Sequence, residues 1–165
     1  HPAARAHAAF CRRILNTGPG TCSQIRKTLR NFYKVPIPGG DPDAAYDRHA
    51  HRAAFIGFLA FLRANLAGQT SIRVDAHWAT QASVIQGMAL FSMPDVIVRE
   101  DEMKLRLPDL ARQVDYAKSV KPTDAPDDQP FALSEIYDAE IETLVSDIYQ
   151  RDYMMFGFTR WAETG

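Results

Sequence analysis

The sequence predicts a mostly helical chain with one or two short strands, too few for a free-standing α/β sheet. Three observations carry this. Apolar residues recur at helical spacing over most of the chain, most clearly across Ala53–Leu66. Only Met93–Arg99 reads as a strand, with Val96, Ile97 and Val98 in a β-branched run. Loops rich in Pro, Gly or Asp separate the periodic segments at 35–40 and 118–130. At 165 residues the chain has the size of one domain spanning 1–165, or of a piece of one.

Each element has a local reason. Pro2 suits a first helical turn, and Ala3–Leu15 is Ala-rich, with Ala9, Phe10 and Ile14 on one face. Asn16-Thr-Gly-Pro-Gly20 stops it. Thr21 or Ser23 caps a second helix that carries Ile25, Leu29, Phe32 and Tyr33. Asp41 or Asp43 caps a third, from about Ala44 to Leu66, whose stripe is Ala54, Phe55, Phe58, Leu59, Leu62 and Leu66, with Gly68 as its stop. Ser71–Val74 reads as a short extended piece. Trp78–Phe91 contains a helix with Val84, Ile85, Met88 and Leu90 inward. Glu100–Ala117 is a helix made irregular by Pro108. Ser134 or Asp138 caps a final helix with Ile141, Leu144, Val145, Ile148, Tyr149 and Tyr153 inward, ended by Gly157.

The net charge of −1 hides a gradient. His1 to Lys34 holds Arg5, Arg12, Arg13, Arg26, Lys27, Arg30 and Lys34 and no carboxylate, whereas from Pro122 onward Arg151 and Arg160 are the only Lys or Arg. Such a basic segment either draws an anion or pairs with the acidic end of the chain. Nucleic acid is not the expected partner, because no stacking aromatics interleave the cations and no binding motif is present. No run is long and apolar enough to cross a membrane and no secretory signal is recognisable, which favours a cytoplasmic or membrane-associated placement. Cys11 and Cys22 are expected as reduced thiols in or near the core. His49 and His51, two apart, do not share a helical face, and no metal site is expected there.

Asp75-Ala-His77-Trp78-Ala-Thr-Gln81 places a near-neutral base beside a large aromatic wall. It follows the Phe- and Leu-rich helix, precedes Asp95–Glu100, and the chain closes on Ile148-Tyr-Gln-Arg-Asp-Tyr-Met-Met-Phe-Gly-Phe158. In this order the segments resemble the C-terminal part of the sulfotransferase family that includes the carbohydrate sulfotransferases. The resemblance implies an α/β sulfotransferase fold, P-loop-like, of which this chain is the mostly helical C-terminal portion. It also implies transfer of a sulfuryl group from 3′-phosphoadenosine 5′-phosphosulfate (PAPS) to a hydroxyl of a carbohydrate or other small acceptor, without a metal.

Site residues follow from the same resemblance. Family members carry Arg-x-Pro-x-x-Arg-x-x-Ser-x-Tyr/Phe, whose first Arg and Ser hold the 3′-phosphate. Here Pro2, Arg5 and Phe10 match, Ala8 stands where the Ser is expected, and the first Arg falls before His1. Arg5 is thereby a candidate cofactor-side cation, and Lys118 and Ser119 lie in the loop that passes near the nucleotide in relatives. His77 is the candidate base, oriented by Asp75 if the backbone folds back, with Trp78 as wall or sugar platform and Glu100 as an acidic substrate contact at a strand end. The phosphate-cradling loop of the family has no counterpart in Gly18-Pro-Gly20 or Gly39-Gly40, since no Lys-Ser or Lys-Thr follows. The expected donor-gripping half therefore lies before His1, and activity is in doubt without it. The alternative expectation is a non-catalytic helical module that binds an anionic ligand or a protein partner.

Overall fold

The computed structural model describes residues 1–118, 120–123 and 128–161. Every regular element among them is helical. Helix α1 (Pro2–Ala9) runs into a π-helical stretch (Phe10–Leu15). Then come α2 (Ser23–Asn31), α3 (Arg48–Leu66), α4 (Gln81–Ala89), a 3-10 turn (Glu100–Glu102), α5 (Met103–Gln113), α6 (Leu133–Ile136), α7 (Ala139–Ile148) and α8 (Gln150–Phe156).

This corrects the expected α/β sulfotransferase fold. The described residues contain neither a strand nor a sheet. Met93–Arg99 is irregular and leaves Val96 and Ile97 exposed. β-Branched residues favour extended backbone, but a strand persists only where a second strand takes up its N–H and C=O groups. No described residue forms a bridge with this run or with 71–74, where the Ile72 carbonyl accepts instead from Asn65 Nδ2 at 2.7 Å.

The chain divides into two compact units: His1–Gln86 with Asp128–Gly165, and Gly87–Asp127. The second holds α5, none of whose residues is buried. It exposes Leu90, Phe91, Met93, Leu105 and Val114. The inward face expected for Val84, Met88 and Leu90 is likewise corrected. All three are exposed, and Ala82 is the buried residue of α4.

The first unit is built on α3, which packs against α6 and α7, while α1 also meets α7. Ala3 and Ala6 are fully buried, so the backbone of α1 approaches its neighbours closely. Phe10, Ile14 and Leu15 from the π-helical stretch, Phe55, Phe58, Leu59 and Leu62 from α3, and Ile141, Val145 and Tyr149 join one core with Trp78. Burial of each large apolar side chain contributes about 1.5–3 kcal/mol.

The caps explain where the helices begin. Asp47, not Asp41 or Asp43, caps α3, with its carboxylate accepting from the Ala50 N–H at 2.8 Å. The other two are engaged elsewhere. Asp41 accepts from the N–H and hydroxyl of Thr17, both at 2.7 Å, and Asp43 accepts from the Ala45 N–H at 3.0 Å. Asp138 caps α7, accepting from Glu140 N–H at 3.1 Å and Ile141 N–H at 3.0 Å. The long final helix expected is two helices, broken at Tyr149 (φ −108°, ψ 24°) and closed by Gly157 at φ +65°, a left-handed conformation that suits glycine.

Candidate functional site

Residues 75–79 form one helical turn, with the Trp78 and Ala79 N–H groups donating to the Asp75 carbonyl at 3.1 and 2.9 Å. The turn is held from three directions. Arg5 donates through Nη1 to the Ala79 carbonyl (2.5 Å) and through Nη2 to the Ala76 carbonyl (2.6 Å). The Tyr149 hydroxyl donates to the Trp78 carbonyl at 2.9 Å, and the Trp78 indole N–H donates to Asn65 Oδ1 at 3.0 Å. Asp152 then accepts from the N–H groups of Gln81 and Ala82, fixing the start of α4. Thr80 accepts from Ser83 N–H through its hydroxyl at 3.1 Å and so caps α4 as well.

The backbone does fold back on itself here. Asp75 Oδ1 accepts from the His77 N–H at 2.9 Å and meets His77 Nδ1 at 2.6 Å. Burial alone would raise the Asp75 carboxyl. The two hydrogen bonds from His77, with the charges of His77 and Arg13, outweigh it and hold the carboxyl below its ordinary value. The carboxylate fixes the imidazole with Nδ1 as the bonded nitrogen, which leaves Nε2 for another partner. The His77 side chain is 52% exposed.

His77 lines a cleft of about 680 Å³ together with Arg5, Ala8, Arg12, Arg13, Asn16 and the 18–21 turn. Two residues singled out in the sequence, Arg5 and His77, therefore meet in one concavity, and Ala8 faces it too. The arginines are partly engaged. Arg12 pairs with Asp128 at 2.9 Å, and Arg13 donates through Nη1 to the Gly20 carbonyl. A guanidinium has five N–H donors, however, and Arg13 Nε is buried without a hydrogen-bond partner. The Arg12–Asp128 pair joins the basic start of the chain to its acidic end.

The remaining sequence candidates fall elsewhere. Trp78 is fully buried, edge-on to Phe58 with ring centroids 5.9 Å apart, so it is core wall and offers no face to a sugar. Glu100 opens the exposed 3-10 turn of the second unit instead of ending a strand. Lys118 is exposed in that unit, and Ser119 lies outside the described residues.

A second cluster escaped the sequence reading. His7 and His51 are buried with their Nε2 atoms 2.8 Å apart, and Cys11 Sγ lies 3.7 Å from the first and 3.9 Å from the second. His7 on α1 and Cys11 on the π-helical stretch that continues it are four residues apart, and His51 arrives from α3. Burial, then the neighbouring His51, lower the His7 pKa to about 4 against a small opposing pull from Gln129; burial lowers His51 to about 4 against Glu135. Burial, with Asp128 nearby, raises the Cys11 thiol to about 12. The signal lay in the His-x-x-x-Cys spacing of residues 7 and 11, but its third member is 40 residues further on, and no local pattern joins them.

No protein-family model matches this chain, and neither does any curated protein or solved structure.

Proposed function

We propose that this chain takes part in sulfuryl transfer from PAPS to a hydroxyl acceptor. In this reading the arginine-lined cleft receives a phosphate or sulfate group, and His77 removes the acceptor's proton. The observation that carries the reading is the Asp75–His77 pair at 2.6 Å on the rim of a cleft lined by three arginines. A general base needs a fixed tautomer and a nearby site for the reacting group, and an anionic donor needs forked cations.

PAPS supplies an activated sulfuryl group on a bridging oxygen. The protein's part is electrostatic and positional, as in phosphoryl transfer. Arg13 offers its remaining N–H groups to anionic oxygens, and Arg12 adds positive charge to the same wall. Arg5, with both Nη atoms bonded to backbone carbonyls, acts through the turn it holds and is a positioning residue. His77 Nε2 takes the proton as the acceptor oxygen bonds to sulfur and the bond from sulfur to the bridging oxygen breaks. The resulting imidazolium is stabilised by Asp75. Ala8 supplies no hydroxyl to the phosphate, a weakness the arginines only partly offset.

The test is calorimetry with adenosine 3′,5′-bisphosphate, followed by transfer assays with PAPS and a panel of carbohydrate acceptors. Binding is expected to weaken about tenfold in Arg13→Ala, the effect of one lost charge-assisted hydrogen bond. Ala8→Ser is expected to tighten it roughly fivefold, as one added hydrogen bond does. His77→Ala is expected to lower turnover by about 10²–10⁴ with little change in bisphosphate affinity. Asp75→Asn should lower turnover less and move its pH profile. Bisphosphate binding with no turnover by any form would favour the non-catalytic anion-binding module. Absence of binding by every form of the protein would overturn both readings.

A further inference from the structure

We propose that His7, Cys11 and His51 form a binding site for one thiophilic d10 metal ion, of the cuprous or zinc class, ligated through two Nε2 atoms and Sγ. The proposal is independent of the sulfuryl-transfer reading and uses none of its residues.

The geometry comes first. The three donor atoms lie within 4.8 Å of one another, and all three residues are buried. With bonds of about 2.0 Å to nitrogen and about 2.3 Å to sulfur, an ion at their centre requires N–N separations of roughly 3.3–3.5 Å and N–S separations of roughly 3.5–3.7 Å. The observed N–S distances of 3.7 and 3.9 Å are already close, and the N–N distance of 2.8 Å is that of a hydrogen bond. The metal-free pair thus shares one proton between two ring nitrogens. An ion replaces it once the rings part by about half an ångström.

The surroundings are those of a ligand site. Tyr46 Oη lies 3.1 Å from His51 Nδ1, the second-sphere contact that fixes which imidazole nitrogen faces inward. His7 Nδ1 is buried without a hydrogen-bond partner, so the ring can carry its proton there when Nε2 is ligated. Phe10, Phe55 and Phe131 pack around the two imidazoles and keep water out. Cys11 sits in the π-helical stretch, an irregularity that recurs at functional sites.

Charge selects between the ions. Binding expels the Cys11 thiol proton while both imidazoles stay neutral. A cuprous ion plus one thiolate is then neutral, whereas zinc leaves a net positive charge in an apolar pocket, which is costly. Three soft or borderline donors without a fourth also suit cuprous copper. The site is therefore assigned to cuprous copper, with zinc binding more weakly.

The experiment is anaerobic titration of the chelator-treated full chain with Cu(I), and separately with Zn²⁺, against chromophoric competitors. One equivalent of Cu(I) is expected, with affinity reduced at least 100-fold in Cys11→Ala and His51→Asn and unchanged in Cys22→Ser. X-ray absorption on the wild-type Cu(I) complex is expected to show one sulfur and two imidazole nitrogens, a readout that stands even if a core variant misfolds. No uptake of either ion, uptake unaltered by the folded core variants, or a first shell without sulfur would overturn the site. Tight zinc with no Cu(I) would overturn the assignment of the ion.

Discussion

Replacing Asp152 by alanine is expected to destabilise the first unit by about 2–4 kcal/mol, the loss of two charge-assisted hydrogen bonds to backbone N–H groups. Asp152 is fully buried on α8, yet its carboxylate serves α4, accepting from Gln81 N–H at 2.8 Å and Ala82 N–H at 2.9 Å. The first N–H groups of a helix have no intrahelical partner. Thr80 satisfies that of Ser83 through its hydroxyl and that of Val84 through its carbonyl, so Asp152 completes the set. A carboxylate there also meets the positive end of the helix dipole. Alanine would leave two donors unpaired, one of them buried. Asparagine keeps one acceptor oxygen and should cost about half as much. The measurement is the urea midpoint followed by circular dichroism. Arg52→Ala is the control: its pairs with Asp138 and Glu140 are partly exposed, and its loss should cost under about 1 kcal/mol. Equal midpoints for Asp152→Ala and Arg52→Ala would mean that the cap contributes nothing.

Asp152 also shows where sequence reading stops. Its distance from the N–H groups it serves is 71 and 70 residues, so no local signature announces it. The stripe on α3 was legible because Phe55, Phe58, Leu59 and Leu62 repeat on one face, and all are fully buried. Gly68 and Gly157, both at positive φ, were legible as stops because few other residues adopt that conformation cheaply. The Asp75–His77 contact was legible because the two residues are two apart and need only a tight turn. The strand at 93–99 was misread because β propensity reports a side chain's fit to a sheet, and no sheet is there to receive it. Trp78 stood open between wall and platform because an indole beside a histidine looks the same in a core as on a rim; its complete burial makes it wall. The His7, Cys11 and His51 cluster was missed because pairing His49 with His51, and Cys11 with Cys22, searched along the chain for what the fold assembles across it.

Acid is expected to unfold the metal-free protein earlier than its carboxylates alone require, through the His7–His51 pair. An unfolded histidine takes up its proton near pH 6.5, whereas these two rings do so only near pH 4 in the fold. Between those values the unfolded chain binds more protons, so stability is full above about pH 7 and falls as the pH drops through the window. For the first ring to titrate, the loss is about 2 kcal/mol by pH 5 and about 3 kcal/mol by pH 4. The second ring adds to this, because two imidazolium ions cannot sit with nitrogens 2.8 Å apart. The groups facing the pair do not relieve it. Cys11 stays a neutral thiol, burial raises the Tyr46 phenol, and Glu135 opposes the shift without cancelling it. Asp75 and Asp138, both held below the usual carboxylate value, contribute only at lower pH, since their stabilisation is lost below about pH 4. Urea midpoints of chelator-treated protein from pH 8 to pH 4.5 should therefore decline steadily, and His7→Asn with His51→Asn should flatten the decline while lowering the midpoint at pH 8. A wild-type profile that is level down to pH 5 would mean that the folded state accommodates the charged rings, and that the two imidazoles are not a buried neutral pair.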